Sequence, residues 1–264
     1  MAAKIHADPS ILGIPPHFPR RKGRRFVYCF LPTFGLTAPP PDATVVSGSR
    51  TDPERRRIMD HTEPYCRILL TGFDPFGGET VNPALEAVKR VQCPGLSVVP
   101  LEVPTAFGRA EETVIQAIRA HQPQLVICVG QAAGRAVITP ERVAINVDDA
   151  RIPDNAGAQP QDRPIDPAGP AAYFSTLPIR AMVQAIRQAG VPADISNSAG
   201  TFVCNHLMYS VLHYAAKACP GVCAGFVHVP CIPAQAEGSA LPSLPLEDIV
   251  RGLEAAVLAA AQAL

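Results

Sequence analysis

No uninterrupted run of about 18 apolar residues occurs in this sequence, so no membrane-spanning helix is expected. The N-terminus also lacks the charged, then apolar, then small-residue order of a secretion signal. Net charge is absent too, with 23 basic residues balancing 23 acidic ones. That balance argues against a generic nucleic-acid binder. The eight cysteines lack the dense, regular spacing of a disulfide framework. Reduced thiols and a cytoplasmic location are therefore expected. The remaining composition, 47% hydrophobic and 17% charged over 264 residues, suffices for one substantial core.

The charge balance is not uniform. Residues 1–58 hold ten Lys/Arg against four acids, with prolines clustered at Pro15-Pro16 and Pro39-Pro40-Pro41. Apart from Arg25 to Leu31 they carry almost no apolar periodicity. Such a segment has little to bury against its ordering entropy and is expected to be disordered. It could be a basic tail for nucleic acid or anionic lipid, or an Arg-rich targeting peptide. The compositional break favours a third reading, a basic extension preceding a true start at Met59. The catalytic domain is then 59–264.

From Cys66 onward the pattern becomes regular. Strands are expected at 67–73, 96–103, 124–130, 138–146, 193–196 and 225–229. Helices are expected from Pro83 to about Val91, at 106–121 and 178–189, from Cys204 to about Ala218, and at 246–263. Asn82-Pro83 has the form of a helix cap followed by proline at the first helical position. Within 138–146, Val143 and Ile145 share one face; in the last helix Ile249, Leu253, Val257 and Ala260 do so. Strands alternating with helices imply an α/β fold, with a mostly parallel central sheet covered on both faces. Ligands of such sheets bind beyond the carboxyl ends of the strands. The loop after Phe73, the loop after Gly130, Cys204 and His228 all fall near such ends.

Cys204 follows the small-residue turn Ser198-Ala199-Gly200-Thr201 and opens an apolar helical pattern. At a helix start a thiolate gains from the positive end of the backbone dipole, and the thiolate is the nucleophilic form. His228 lies on the next apolar strand. Together they form the minimum for covalent acyl transfer. A carboxylate should orient the histidine. Glu141, Asp148, Asp149 and Asp154 are candidates, and spacing alone does not choose Glu141 over Asp154. Cys128, in an apolar run, reads as core filler. The set Cys204, His206, Cys219 and Cys223 fits no strong zinc pattern. Gly77-Gly78 lacks the endings that would make its loop a phosphate cradle.

Four segments, in order, resemble the pyroglutamyl peptidase I (pyrrolidone-carboxylate peptidase) family. The first runs from Leu69 to Gly78 and into Val81-Asn82-Pro83. The second runs from Val129 to Arg135 and continues from Thr139 to Asn146. The third is Ala150 to Asn155. Gly200 to His206 and His228-Val229-Pro230 complete the match. The resemblance implies a single-domain twisted, mostly parallel sheet of the phosphorylase/hydrolase-like kind, usually assembled as a homo-oligomer, a dimer or tetramer. It implies a cysteine exopeptidase (omega peptidase) that removes N-terminal pyroglutamate from peptides through an acyl-enzyme. Cys204 would be the nucleophile, His228 the general base and then acid, and Glu141 the group that orients it. Phe73, Phe76, Phe202 and Val203 would line the lactam pocket. Asn82 and the backbone at Gln131 would bond the lactam's polar edge, and Arg151 would lie near the oxyanion. No cofactor or metal is implied, and no nucleic-acid or membrane partner.

A flat, neutral lactam needs no carboxylate to pair an ammonium and suits aromatic walls with a few fixed hydrogen bonds. The Cys204 backbone N–H could stabilise the oxyanion. The sequence departs from the family pattern at Ala133, where glycine is expected, and at Cys231, where an aromatic residue is expected. Cys231 raises the hypothesis of an oxidative disulfide with Cys204; unchanged thiol titre after peroxide would refute it. The alternatives are another thiol amidase or hydrolase on the same fold, or a non-catalytic binding protein.

Overall fold

The computed structural model describes residues 66–264, so the expectations for 1–58 and for a start at Met59 lie outside the described residues. The central sheet has the order β2-β1-β3-β7-β4. Its strands are β1 (Arg67–Phe73), β2 (Ser97–Val103), β3 (Leu125–Gln131), β4 (Thr139–Pro140) and β7 (Cys223–Val229). β1 pairs in parallel with β2 and β3, and β3 pairs in parallel with β7. Only β4 runs antiparallel, against β7. The fold is thus α/β with a mostly parallel sheet.

The near-continuous apolar strands arise because both faces are covered, and side chains alternate between the faces. Ile68, Leu70, Ile127 and Val227 join the core under α1 (Pro83–Val88), α3 (Ile179–Gln188) and α6 (Leu246–Ala261). Leu69, Val126, Cys128 and Phe226 join the core under α2 (Arg109–His121) and α4 (Val203–Ala218). Ile249, Leu253, Val257 and Ala260 form the buried face of α6. The one-turn helix α5 (Pro233–Ala236) follows β7.

α1 begins as its sequence predicts: the Asn82 side chain accepts a hydrogen bond from the Ala84 N–H, with proline next in line. The helix lies so close to β1 that a Cβ on Gly72 would come within 2.6 Å of Leu85 Cα. Glycine at 72 permits that approach, which brings Asn82 to the carboxyl end of β1.

Three local expectations differ. The strand expected over 138–146 is two strands in different sheets, β4 and β5 (Val143–Ile145). β5 pairs antiparallel with β6 (Ala172–Phe174), a strand the pattern did not reveal. Within β5, Val143 and Ile145 share the more exposed face and Ala144 the buried one. Residues 193–196 form isolated bridges, Ala193 with Ile138 and Ser196 with Glu141, not a strand. Helix α2 starts at Arg109, after Gly108 at φ 77°, three residues later than expected.

Candidate active site

The carboxyl ends of β1, β3 and β7 and the amino end of α4 converge on one cleft of about 660 Å³. Phe73 ends β1, Gln131 ends β3 and Cys204 is the second residue of α4; all three line the cleft. Phe76, Asn82, Arg151 and Phe202 line it as well.

Gly130 registers opposite His228 across the β3–β7 pair, where strands lie about 4.8 Å apart. A Cβ built on Gly130 would lie 3.1 Å from Cys204 Sγ and 2.8 Å from Phe226 Cζ. The absent side chain at 130 is therefore the space through which the sulfur reaches the strand carrying His228. The His228 ring rests on Phe226, with centroids 4.7 Å apart.

The antiparallel pairing of β4 with β7 delivers the carboxylate. Thr139 registers with His228, and the Glu141 N–H donates to the Phe226 carbonyl at 2.8 Å. This turns Glu141 inward, fully buried, with Oε1 2.7 Å from His228 Nδ1. The other carboxylates are engaged elsewhere. Asp154 accepts the backbone N–H groups of Phe107, Ala156 and Ala158. Asp148 holds His206. Asp149 is exposed at the rim of the cleft. Of the four carboxylates, only Glu141 bonds His228.

Arg135, a residue to which sequence reasoning gave no role, donates from Nη1 to Glu141 Oε1 at 2.6 Å and from Nη2 to the Ser198 carbonyl at 3.1 Å. Burial opposes ionisation of Glu141, but the bond from His228 and the charge of Arg135 hold its pKa below the ordinary value. Burial also lowers the pKa of His228, against the pull of Glu141. With Nδ1–H donated to Glu141, His228 rests as a neutral base with Nε2 free to accept a proton.

The Cys204 thiol is half-buried on the cleft wall. Burial and the Glu141 charge push its pKa up to about 12, against the lowering effect of Arg135. The helix-start dipole is therefore outweighed and the resting group is a thiol, with the neutral His228 imidazole on the strand paired with Gly130. A nucleophile in this setting is made at the moment of attack by proton transfer to the base.

The cleft walls are aromatic. Phe76 packs on Phe202 with centroids 5.3 Å apart, and Phe107 meets Phe202 edge-on at 5.4 Å. Glu79, Asp149 and Arg151 are exposed at the mouth, whereas Phe73 is buried. Val203, expected to line the pocket, is fully buried in the core under α2 and α4 and is not on the cleft surface, because the first turn of α4 directs it inward. Asn82 is partly committed. Its Oδ1 caps α1 and one N–H donates to the Asp74 carbonyl at 3.0 Å, leaving one N–H for a ligand. The Gln131 side chain donates to Gln235 Oε1 at 3.0 Å and lies 3.2 Å from Cys231 Sγ. Cys231 is buried on the same cleft, and both it and Cys204 are free thiols.

His206 is buried between Asp148 and Glu111. On α4 it lies two positions after Cys204, about 200° around the helix, so it faces away from the cleft toward α2.

Residues 66–263 match the family model described as pyroglutamyl peptidase. The chain is 59% identical over 196 residues to the pyrrolidone-carboxylate peptidase of Levilactobacillus brevis, covering 73% of this chain and 96% of that protein. It is 56% identical to a pyrrolidone-carboxylate peptidase of Streptococcus pyogenes, with 73% and 91% covered. Among solved structures, pyroglutamyl peptidase I of Bacillus amyloliquefaciens aligns with a TM-score of 0.72 at 50% identity, covering 75% of this chain and 97% of that one. A mutant pyrrolidone carboxyl peptidase of Pyrococcus furiosus aligns with a TM-score of 0.72 at 40% identity, with 75% and 99% covered.

Proposed function

The chain belongs to the pyroglutamyl peptidase family and is a cysteine-type hydrolase; from that premise we propose that it removes N-terminal pyroglutamate from peptides with Cys204, His228 and Glu141 as its catalytic triad. The observation that carries the assignment of roles is the buried Glu141–His228 bond beside the strand position over which Cys204 Sγ sits.

The steps follow from the resting protonation states. His228 Nε2 takes the Sγ proton as the sulfur attacks the pyroglutamyl carbonyl carbon. The imidazolium that forms is stabilised by Glu141, whose charge Arg135 steadies. The first-turn N–H groups of α4, which have no partners within the helix, face the developing oxyanion, with Arg151 at the rim. The tetrahedral intermediate collapses, the C–N bond breaks, and the leaving amine takes the proton from Nε2. Water, deprotonated by His228, then attacks the thioester. Free pyroglutamate leaves and the thiol is restored.

Phe73, Phe76 and Phe202 suit the flat lactam ring, and the remaining Asn82 N–H and the Gln131 backbone suit its polar edge. Catalysis is assigned to residues 59–264, with 1–58 as an extension. We place the enzyme in the cytoplasm as a homo-oligomer. Seven free cysteines among the described residues support a reducing compartment, and no helix among those residues is long and apolar enough to cross a membrane.

The test is hydrolysis of a pyroglutamyl fluorogenic amide beside its prolyl and glutamyl analogues. Cleavage of the pyroglutamyl compound alone is expected. Equal cleavage of the prolyl compound would refute a lactam-specific pocket.

A further inference from the structure

His206 is a buried histidine that the triad does not use, and both of its ring nitrogens face carboxylates. Nδ1 lies 2.9 Å from Asp148 Oδ2, and Nε2 lies 2.8 Å from Glu111 Oε2. Ionised carboxylates only accept hydrogen bonds, so a ring bonded to one at each nitrogen must donate from both and be an imidazolium. Burial works against that charge, yet the two acids raise the pKa to about 9. Three separate parts of the chain meet here: Glu111 from α2, Asp148 from the segment after β5, and His206 from α4.

Around this centre, the first turns of α4 are stitched to residues 145–149. Asn205 bonds the N–H and carbonyl of Ile145 and the carbonyl of Val147. Thr201 donates to the Asp149 carbonyl at 2.7 Å and accepts the Asp149 N–H at its own carbonyl. Directly beyond this segment come Arg151 and Ile152, which with Asp149 line the cleft. Phe107 stands perpendicular to the His206 ring at 5.4 Å and also packs edge-on against Phe202, a wall of that cleft. The neutral bonds from Asn205 and Thr201 do not titrate; the ion-paired one does.

We propose that His206 is a positioning residue for the substrate pocket: held as an imidazolium between Asp148 and Glu111, it fixes the Asp149–Ile152 rim and, through Phe107, the Phe202 wall onto the nucleophile helix. The inference rests on the proposed peptidase reading for its kinetic consequence but not for its charge state. Loss of the ring proton leaves a carboxylate facing a bare nitrogen lone pair and loosens the rim. Besides Asp148 and Glu111, the titratable and charged groups around the ring are Asp166, Tyr209, His213, Tyr214 and Lys217, which share a second cavity with it. His213 is itself engaged by Tyr173 and Asp166, so only Asp148 and Glu111 bond the His206 ring.

The experiment measures KM and kcat of the unaltered chain and of Glu111→Gln for a pyroglutamyl fluorogenic amide across pH 7 to 10, with histidine nitrogen NMR on the same proteins. Expected is a KM that rises at least about fivefold above pH 9 while kcat changes less than about twofold, with the rise displaced to lower pH in Glu111→Gln. A limb in kcat instead of KM, no limb, or a limb that Glu111→Gln does not move would overturn the proposal. If no pyroglutamyl amide is cleaved at any pH, the peptidase reading fails by itself and NMR decides the charge. A doubly protonated His206 ring at pH 7.5 upholds the ion-paired clamp, and a neutral tautomer sinks it. NMR on the unaltered chain also serves should Glu111→Gln fail to fold.

Discussion

Replacing Gly130 with alanine adds one methyl group at the most crowded point of the site. The new Cβ would stand 2.8 Å from Phe226 Cζ and 3.1 Å from Cys204 Sγ. The first distance is about 0.7 Å inside the ~3.5 Å optimum for carbon pairs. Phe226 is fully buried between Phe73 and His228, at centroid distances of 6.2 Å and 4.7 Å, so its ring has little room to retreat. The strain must pass to Cys204, to His228 or to the sheet. Overpacking of this kind costs about 1–3 kcal/mol, which for a folded part of this size lowers Tm by roughly 2–12 °C. The catalytic effect is larger, because a displacement approaching 1 Å can cost about 10²-fold in rate. Gly130→Ala is therefore expected to lower kcat about a hundredfold with a modest change in Tm. Alkylation of Cys204 by iodoacetamide should slow as well, which separates misplacement of the sulfur from loss of substrate binding. A variant with parental kcat and alkylation rate would refute the claim that the space at 130 places the nucleophile.

Further outcomes follow from the same geometry. The acid limb of kcat/KM reports protonation of His228, whose pKa burial holds below the ordinary histidine value of about 6.5; the base is lost as pH falls through that lowered pKa, so the half-maximal point should lie below pH 6.5, and one above 7 would contradict the burial of His228. The kcat plateau should extend well into alkaline pH, because the Cys204 thiol titrates only near 12. Arg135→Gln removes the cation bonded to Glu141; kcat is expected to fall at least tenfold with about 2 kcal/mol lost in urea unfolding, and the acid limb should move to higher pH because Arg135 lowers the His228 pKa. Asn82→Ala removes the α1 cap and its tie to Asp74, for about 1 kcal/mol of stability and a several-fold higher KM; an unchanged KM would remove Asn82 from the lactam site.

The parallel sheet was legible because its strands are short apolar runs separated by helical repeats, a local signal. Asn82-Pro83 was legible for the same reason, since a cap is read from adjacent residues. The division of 138–146 was not. Beyond Pro140 the chain leaves the central sheet: Arg142 N–H bonds the Ser196 carbonyl, and β5 pairs with residues 172–174, some thirty positions away. Local periodicity carries no record of a partner at that separation. The choice among Glu141, Asp148, Asp149 and Asp154 was equally non-local, since the β4–β7 register decides it. Arg135 gave no local signal. His206 gave a weak one, its place on the far side of the helix that carries Cys204. The helix-end effect at Cys204, worth typically 0.3–1 kcal/mol at exposed sites, is a local signal, whereas the burial that pushes its thiol up comes only from packing.

The most direct test of the central claim compares hydrolysis of the pyroglutamyl amide by the parent, by Cys204→Ser and by Cys219→Ser, which alters a thiol at the other end of α4. kcat is expected to fall at least about 10³-fold in Cys204→Ser, with Cys219→Ser close to the parent. A folded Cys204→Ser protein that retains most of the parent rate would contradict that claim.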